Sequence, residues 1–189
     1  MNKSTIIHPL LADRWSPLAF SSEPISPDVL ARLMDAARWA PSCFNEQPWR
    51  FIYATIDNPE AHAKLLSCLV PGNQSWAAAA PFLAISVACD TFKGNGKPNS
   101  YAWYDTGQAT MALVIEAMHH NIYAHQMGGI LPDRVRELYA IPAGFTPVAG
   151  LALGHYGDRA QLPEAQQARE SGPRNRRPAD ETFFLNRGF

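Results

Sequence analysis

The sequence predicts an α+β fold in which one central sheet packs between helices. Two observations lead to this prediction. Segments with helical spacing outnumber segments with strand character, and a helical segment separates most strands from the next. The composition supports a packed core, because 47% of the 189 residues are apolar and only 17% are charged. A chain of this length suits one domain, which we place at residues 1–189.

Proline marks the start of three predicted helices. Pro27 follows a serine, Pro59 follows an asparagine, and Pro132 opens a third helical pattern. Proline is tolerated in a first helical turn, and a serine or asparagine before it can accept a hydrogen bond from a free backbone N–H. A longer helix is expected at about residues 100–120. Its apolar residues nearly encircle it, which predicts a course through the centre of the molecule.

Four segments are predicted to be strands. The first is aromatic and β-branched, the second is continuously apolar, and the other two are shorter or richer in small residues. They lie at residues 49–56, 81–89, 122–127 and 146–157.

The composition argues against several classes of partner. A net charge of −1 offers no general attraction to nucleic acid or to an anionic membrane. The most apolar window, residues 76–89, is interrupted by Pro81 and falls short of the roughly 20 residues that a membrane span needs. The N-terminal segment lacks the apolar run of a secretory signal, and three scattered cysteines do not form a disulfide framework. We therefore expect a soluble, cytoplasmic protein.

Common catalytic and metal-binding patterns are missing from the sequence. There is no G-x-G-x-x-G after a strand and no G-x-S-x-G, and residues 93–98 are expected to form a surface turn. His119 and His120 are adjacent and would point about 100° apart on a helix, so we predict no metal site for them or for His125. Cys43 is an alternative candidate, as a nucleophile, but no nearby residue supplies an obvious base.

Two arginine-bearing segments suit an anion. Arg14 and Ser16 lie two residues apart, so in an extended segment both face the same side, and a cation with a hydroxyl suits a phosphate. Arg174 and Arg176 alternate in the same way in a tail that is otherwise poor in aliphatic residues. Taken alone, each segment is equally typical of a solvated charge run.

Two further segments suit contacts with a ring. Asn73 and Gln74 precede an apolar stretch, and a side-chain amide there can pair with a ring edge that both donates and accepts. The glycines of "QMGGI" (126–130) allow the backbone to approach a ligand closely. Ordinary turn chemistry explains each segment equally well when it is taken singly.

The order and spacing of these pieces resemble the nitroreductase family of FMN-dependent oxidoreductases over nearly the whole chain. The resemblance is carried by "RWS", "APSCFNEQPWRF", "LVPGNQSWAAAAP", "QMGGI" and the arginine-rich tail. The most specific part is the family's Pro-Ser-x-x-Asn-x-Gln-Pro-Trp pattern, which is present as Pro41, Ser42, Asn45, Gln47, Pro48 and Trp49.

The resemblance implies a three-layer α/β/α fold with a mostly antiparallel central sheet and a C-terminal arm that reaches the partner subunit. It implies a homodimer with FMN at the interface and NADH or NADPH as the reductant. Nitroaromatics, quinones or related small molecules would accept the electrons in a ping-pong hydride transfer through flavin N5. We name no catalytic acid or base. A non-catalytic protein that stores or senses flavin is the alternative.

The resemblance also implies a set of cofactor-binding residues. Arg14, Trp15 and Ser16 would hold the phosphate and ribityl chain, together with Arg174 and Arg176. Pro41, Ser42, Cys43 and Asn45 would line the flavin from the partner subunit. Asn73 would bond the ring or ribityl edge, and Met127, Gly128 and Gly129 would pass close to the ring. Two departures are Leu18, where many members have a basic residue, and Gly128, where many have an acidic one.

Overall fold

The fold is built on a four-stranded sheet in which every pair of neighbours is antiparallel. The computed structural model describes residues 6–186 and Gly188. The strands follow each other across the sheet in the order β1-β2-β4-β3. They are β1 (Trp49–Thr55), β2 (Phe82–Cys89), β3 (Tyr123–Met127) and β4 (Phe145–Gly154). The predicted strands and the central antiparallel sheet are confirmed.

Seven α-helices accompany the sheet within the described residues. They are α1 (Pro9–Asp13), α2 (Pro27–Arg38), α3 (Pro59–Leu66), α4 (Pro71–Ala77), α5 (Ala102–His119), α6 (Pro132–Tyr139) and α7 (Glu164–Glu170). The helices predicted from proline begin where expected. Asn58 caps α3 by accepting a hydrogen bond from the Ala61 N–H at 3.0 Å.

Alternate residues of β2 pack on opposite sides of the sheet, which makes the fold three-layered. Leu83, Ile85 and Val87 belong to a buried cluster that includes side chains of α3, α4 and α6. Phe82 and Ala84 belong to a second cluster that includes α2 and α5. Successive side chains of a strand point to opposite faces of the sheet, so β2 contributes buried side chains to the helical layers on both faces. The predicted α/β/α arrangement is confirmed.

Helix α5 differs from its prediction. Ala109 and Leu113 are buried against the sheet and α2, but Trp103 and Tyr104 on the opposite face are 53% and 69% exposed. The helix is therefore a layer of the fold with one exposed side, and the expectation that it runs through the centre is wrong.

Helices α4 and α7 were not predicted. Helix α4 contains Asn73 and Gln74, and α7 lies in the tail that the sequence indicated as an extended arm. Residues 172–176 continue along the chain's own N-terminal segment, where Arg174 bonds to the carbonyls of Ala12 and Arg14. An arm that reaches a partner subunit stays a prediction for the part of the tail that follows these residues. No helix in the described part of the chain is long and apolar enough to cross a membrane.

Candidate anion-binding site

A cleft of about 460 Å³ opens beside β3, between the N-terminal segment and the segment that follows α7. Its walls come from distant parts of the chain, and most of them are polar. They comprise Arg14, Trp15, Ser16, Leu18, His125, Arg169, Glu170, Gly172, Pro173, Arg174, Asn175 and Arg176. The structure thus brings together the two arginine-bearing segments that the sequence predicted to act on one anion.

Three guanidinium groups crowd one part of the cleft. Burial lowers the pKa of Arg14, and the positive charges of Arg174 and Arg176 lower it further. Neither of the two ion pairs recorded among the described residues involves these arginines. Like charges held together in this way favour an anionic ligand, and a guanidinium fork matches the geometry of a phosphate.

The three arginines differ in how their donors are used. Arg174 donates to the Ala12 carbonyl at 2.8 Å and to the Arg14 carbonyl at 2.5 Å, so it also fixes the N-terminal wall. Arg176 is exposed, and its recorded hydrogen bond goes to the carbonyl of its neighbour Asn175. Unlike Arg174, Arg176 therefore connects no distant segments of the chain, and its guanidinium group is exposed to a ligand.

Ser16 and Trp15 lie where the sequence indicated. The Ser16 hydroxyl is 3.5 Å from a terminal nitrogen of Arg14, so both face the cleft side of the segment. The Trp15 ring packs against Tyr156 and Tyr123, with centroid distances of 5.3 and 6.2 Å. These ring contacts occupy the Trp15 side chain, so we expect Trp15 to offer a ligand mainly its backbone.

Glu170 is a buried carboxylate that sequence reasoning missed. Its two oxygens accept hydrogen bonds from the backbone N–H groups of Leu18 at 2.8 Å and Ala19 at 3.2 Å. The backbone partners offset the cost of burying the charge. Glu170 thereby ties α7 to the N-terminal segment. Leu18 is buried and apolar, so its side chain adds no charge to the cleft.

His125 is the second wall residue that the sequence did not indicate. It lies in β3, and its Nδ1 is 2.7 Å from the Pro17 carbonyl. Its ring is tilted against Trp76 of α4 with a centroid distance of 4.5 Å. Burial lowers the pKa of His125; the Pro17 bond opposes this and the charge of Arg169 adds to it.

The amide of Asn73 and the glycine at 129 lie next to each other. The Asn73 side-chain amide donates to the Gly129 carbonyl at 3.1 Å. A Cβ at Gly129 would come within 2.6 Å of that amide nitrogen, whereas one at Gly128 would meet nothing within 4 Å. The glycine at 129 is thus required by close packing against α4. Met127 is buried, so its side chain is not available to a ligand.

The loop at residues 41–47 does not contribute to this cleft within one chain. It leads into β1 at Trp49, and β1 and β3 form opposite edges of the sheet. Trp49 pairs with Ala88 of β2, which pairs with Thr146 of β4. His125 of β3 pairs with Ala152 of β4, six residues further along that strand. Strand spacing and rise per residue put Trp49 and His125 roughly 20 Å apart or more.

Internal bonds hold the 41–47 loop in an unusual backbone conformation. The Asp105 carboxylate accepts a hydrogen bond from the Cys43 N–H at 3.0 Å, and the Ser42 hydroxyl accepts one from the Gln47 N–H at 3.0 Å. Phe44, Asn45 and Gln47 all have φ between 50° and 57°. Non-glycine residues in this region cost energy and often occur at functional sites.

The residues that line the cleft fit the phosphate group of FMN. A cluster of like-charged guanidinium groups suits a phosphate. Gly128, three residues beyond His125, has no side chain and has open space beside it. The residues that would face the ring from the other side lie on the 41–47 loop, which one chain alone cannot bring to the cleft.

Known proteins share this sequence and fold. The Nitroreductase family model matches residues 11–70 and 56–155. A protein of Stenotrophomonas maltophilia (strain K279a) named "Putative NADH dehydrogenase/NAD(P)H nitroreductase" is 39% identical over 163 residues, 76% of this chain and 81% of its own length. An uncharacterized 15.4 kDa protein of Mycolicibacterium smegmatis is 35% identical over 128 residues, 68% of this chain and 84% of its own.

Two solved structures illustrate the structural likeness. A crystal structure described as an oxidoreductase containing FMN superposes with a TM-score of 0.92 at 38% identity, covering 98% of this chain and 94% of the other. The NfrA2 protein of B. megaterium has a TM-score of 0.73 at 22% identity, over 95% of this chain and 74% of its own. The second likeness concerns the fold alone.

Proposed function

Because the chain belongs to the nitroreductase family, we propose that it is an FMN-dependent oxidoreductase that uses NADH or NADPH as the reductant. Nitroaromatics, quinones or related small molecules would accept the electrons. The observation that carries this proposal is the convergence of Arg14, Arg174 and Arg176 on one cleft. The resemblance to an oxidoreductase that contains FMN supports the choice of cofactor.

In this proposal the arginine cluster binds the phosphate of FMN. Arg176 is exposed and Arg14 is crowded by two like charges, so a phosphate dianion relieves repulsion that the free protein carries. The Ser16 hydroxyl lies 3.5 Å from Arg14 and adds a neutral donor. Arg174 also holds the N-terminal wall in position for the other groups.

The bound flavin would supply ping-pong hydride transfer through N5, and the protein would position it and exclude competing orientations. The backbone at residues 127–129 is the proposed neighbour of the ring. Asn73 fixes this segment by its hydrogen bond to the Gly129 carbonyl, and Gly128 leaves the approach free of a side chain. No side chain is proposed as a catalytic acid or base.

A homodimer is the proposed form of the enzyme. Pro41, Ser42, Cys43 and Asn45 lie at the far edge of the sheet from the cleft, so they would reach the flavin of the other subunit. Trp39, Phe44 and Trp103 are 77%, 89% and 53% exposed in the single chain. Large apolar side chains at this exposure are typical of a surface that another protein covers.

Anaerobic reduction tests this proposal. The purified protein is loaded with FMN, mixed with NADH or NADPH without oxygen, and followed at the visible flavin band. We expect bleaching by at least one nucleotide and recovery of the band on adding a quinone or nitroaromatic. A protein that takes up FMN but is bleached by neither nucleotide would instead be a flavin-binding protein without turnover. A protein that takes up no FMN would exclude both functions.

A further inference from the structure

His125 occupies a central place in the cleft wall. It extends from β3, and its Nδ1 lies 2.7 Å from the Pro17 carbonyl. A carbonyl oxygen can only accept a hydrogen bond, so Nδ1 carries a proton. Trp76 packs against the ring at a centroid distance of 4.5 Å and restricts its rotation. The orientation of the imidazole is therefore fixed from two sides.

The surroundings favour the neutral ring. Burial lowers the pKa of His125, and the charge of Arg169 on α7 lowers it too, while the Pro17 hydrogen bond acts in the opposite direction. The other ionisable groups that line the cleft are Glu170, also on α7, and the guanidinium groups of Arg14, Arg174 and Arg176. Both Glu170 oxygens accept from backbone N–H groups of the N-terminal segment. In a neutral ring with a proton on Nδ1, Nε2 is an acceptor.

The Nε2 atom has no protein partner. No hydrogen bond to it is formed by any described residue, and it is not among the fully buried atoms that lack a partner. Since His125 lines the cleft, this acceptor is open to a ligand there. The arginines of the cluster only donate. The cleft therefore combines donors suited to a phosphate with an acceptor suited to a hydroxyl.

We propose that His125 is a positioning residue whose Nε2 accepts a hydrogen bond from a hydroxyl of the polyol chain attached to the bound phosphate, the ribityl chain of FMN. The inference rests on the proposed function and adds a second element of recognition. The arginine cluster would bind any phosphate, and His125 would favour a phosphate that carries a polyol.

Two isosteric substitutions separate this role from a purely structural one. His125→Asn keeps an amide donor near the Nδ1 position, facing Pro17, and removes the Nε2 atom. His125→Gln places an amide oxygen near the Nε2 position and gives up the Nδ1 donor. We expect the Asn variant to bind FMN and riboflavin about fivefold to tenfold more weakly, the value of one hydrogen bond. The Gln variant is expected to stay within about threefold of the wild type.

Inorganic phosphate and pH provide the independent readouts. Competition by inorganic phosphate should change by less than about twofold in either variant, because the proposed contact of Nε2 is with the polyol chain and not with the phosphate. Riboflavin has no phosphate to titrate, so the pH dependence of its binding is free of the ionisation of the phosphate. Protonation turns Nε2 into a donor. We therefore expect riboflavin binding by the wild type to weaken as the pH falls from 8 to 5, and that of the Asn variant to change little.

The outcomes of these experiments separate a failure of the proposed role of His125 from a failure of the proposed function. FMN binding by the Asn variant equal to that of the wild type overturns the role of Nε2. So does a loss in the Gln variant as large as that in the Asn variant, which would assign the effect to the Pro17 contact. A wild-type protein that binds no FMN would overturn the proposed function itself, and this inference with it.

Discussion

Arg176 and Arg177 are neighbours in the chain with different surroundings, and the difference allows a direct test at the scale of one residue. Arg176 lines the cleft, whereas Arg177 does not, and both are exposed. Arg174 is a poorer choice for such a test, since its guanidinium also holds the Ala12 and Arg14 carbonyls. Removing it would disturb the wall as well as the charge.

We predict that Arg176→Gln lowers the affinity for FMN about tenfold or more, because it removes a charge-assisted hydrogen bond to the phosphate. Arg177→Gln removes the same charge from the same segment and should change the affinity by less than about twofold. Fluorescence titration of FMN measures both. Equal losses would indicate a general effect of net charge and would count against the phosphate assignment.

The site residues that the sequence predicts are marked by local patterns, whereas those that it does not predict depend on contacts between distant parts of the chain. Arg14 stood out because Ser16 lies two residues further on, and Arg174 because it belongs to an arginine-rich segment; both patterns are visible locally. Glu170 and His125 look ordinary in their own segments. Glu170 acquires its role from Leu18, 152 residues away, and His125 from Pro17, 108 residues away. Such roles exist only once the chain has folded.

At the scale of elements, local capping chemistry made some helices predictable and tertiary packing created others. Helices α2, α3 and α6 begin at a proline, which marks a first turn in the sequence itself. Helix α7 has a polar composition without a clear apolar stripe, so it lacks the usual periodic signal. What holds it in place is the buried carboxylate at its end, and the sequence gives no sign of that contact.

We predict that Glu170→Ala lowers the free energy of unfolding by about 1–3 kcal/mol, because it leaves two buried N–H groups without an acceptor. It should also weaken FMN binding, since α7 and the N-terminal segment would no longer hold the cleft walls together. Glu164→Ala, at the exposed start of the same helix, is the matched control. Urea unfolding monitored by circular dichroism measures the difference. An unchanged midpoint for Glu170→Ala would mean that these bonds add nothing to stability.

At the scale of the whole molecule, the proposed flavin site is divided between opposite edges of one sheet. The arginine cleft lies beside β3, and the 41–47 loop leads into β1. The sequence predicts both halves by their motifs, but it carries no information on how far apart they lie in one chain. The strand order supplies that information and explains why the proposed site would need residues from a second subunit.

Complementation between two inactive variants tests this division. One variant carries Arg14→Gln with Arg176→Gln, and the other carries Ser42→Phe, which fills the space proposed for the ring. Each alone is expected to retain little FMN. In a mixed dimer, one site receives both defects and the other receives none. Co-expression with random pairing should therefore restore about one quarter of the sites, measured as bound FMN per subunit. No restoration would mean that each site is built from one chain.

The bonds from Arg174 to the Ala12 and Arg14 carbonyls also have a consequence for biosynthesis. The bonded residues are 162 and 160 positions apart, so the wall that contains Arg174 is synthesised long after the wall that contains Arg14. A growing chain can form much of the sheet before residues 170–176 exist. Until then the wall that contains Arg174 and Arg176 is missing, and Arg14 alone cannot enclose a phosphate. If the cleft binds FMN as proposed, the cofactor would be taken up only after residues 170–176 have been synthesised.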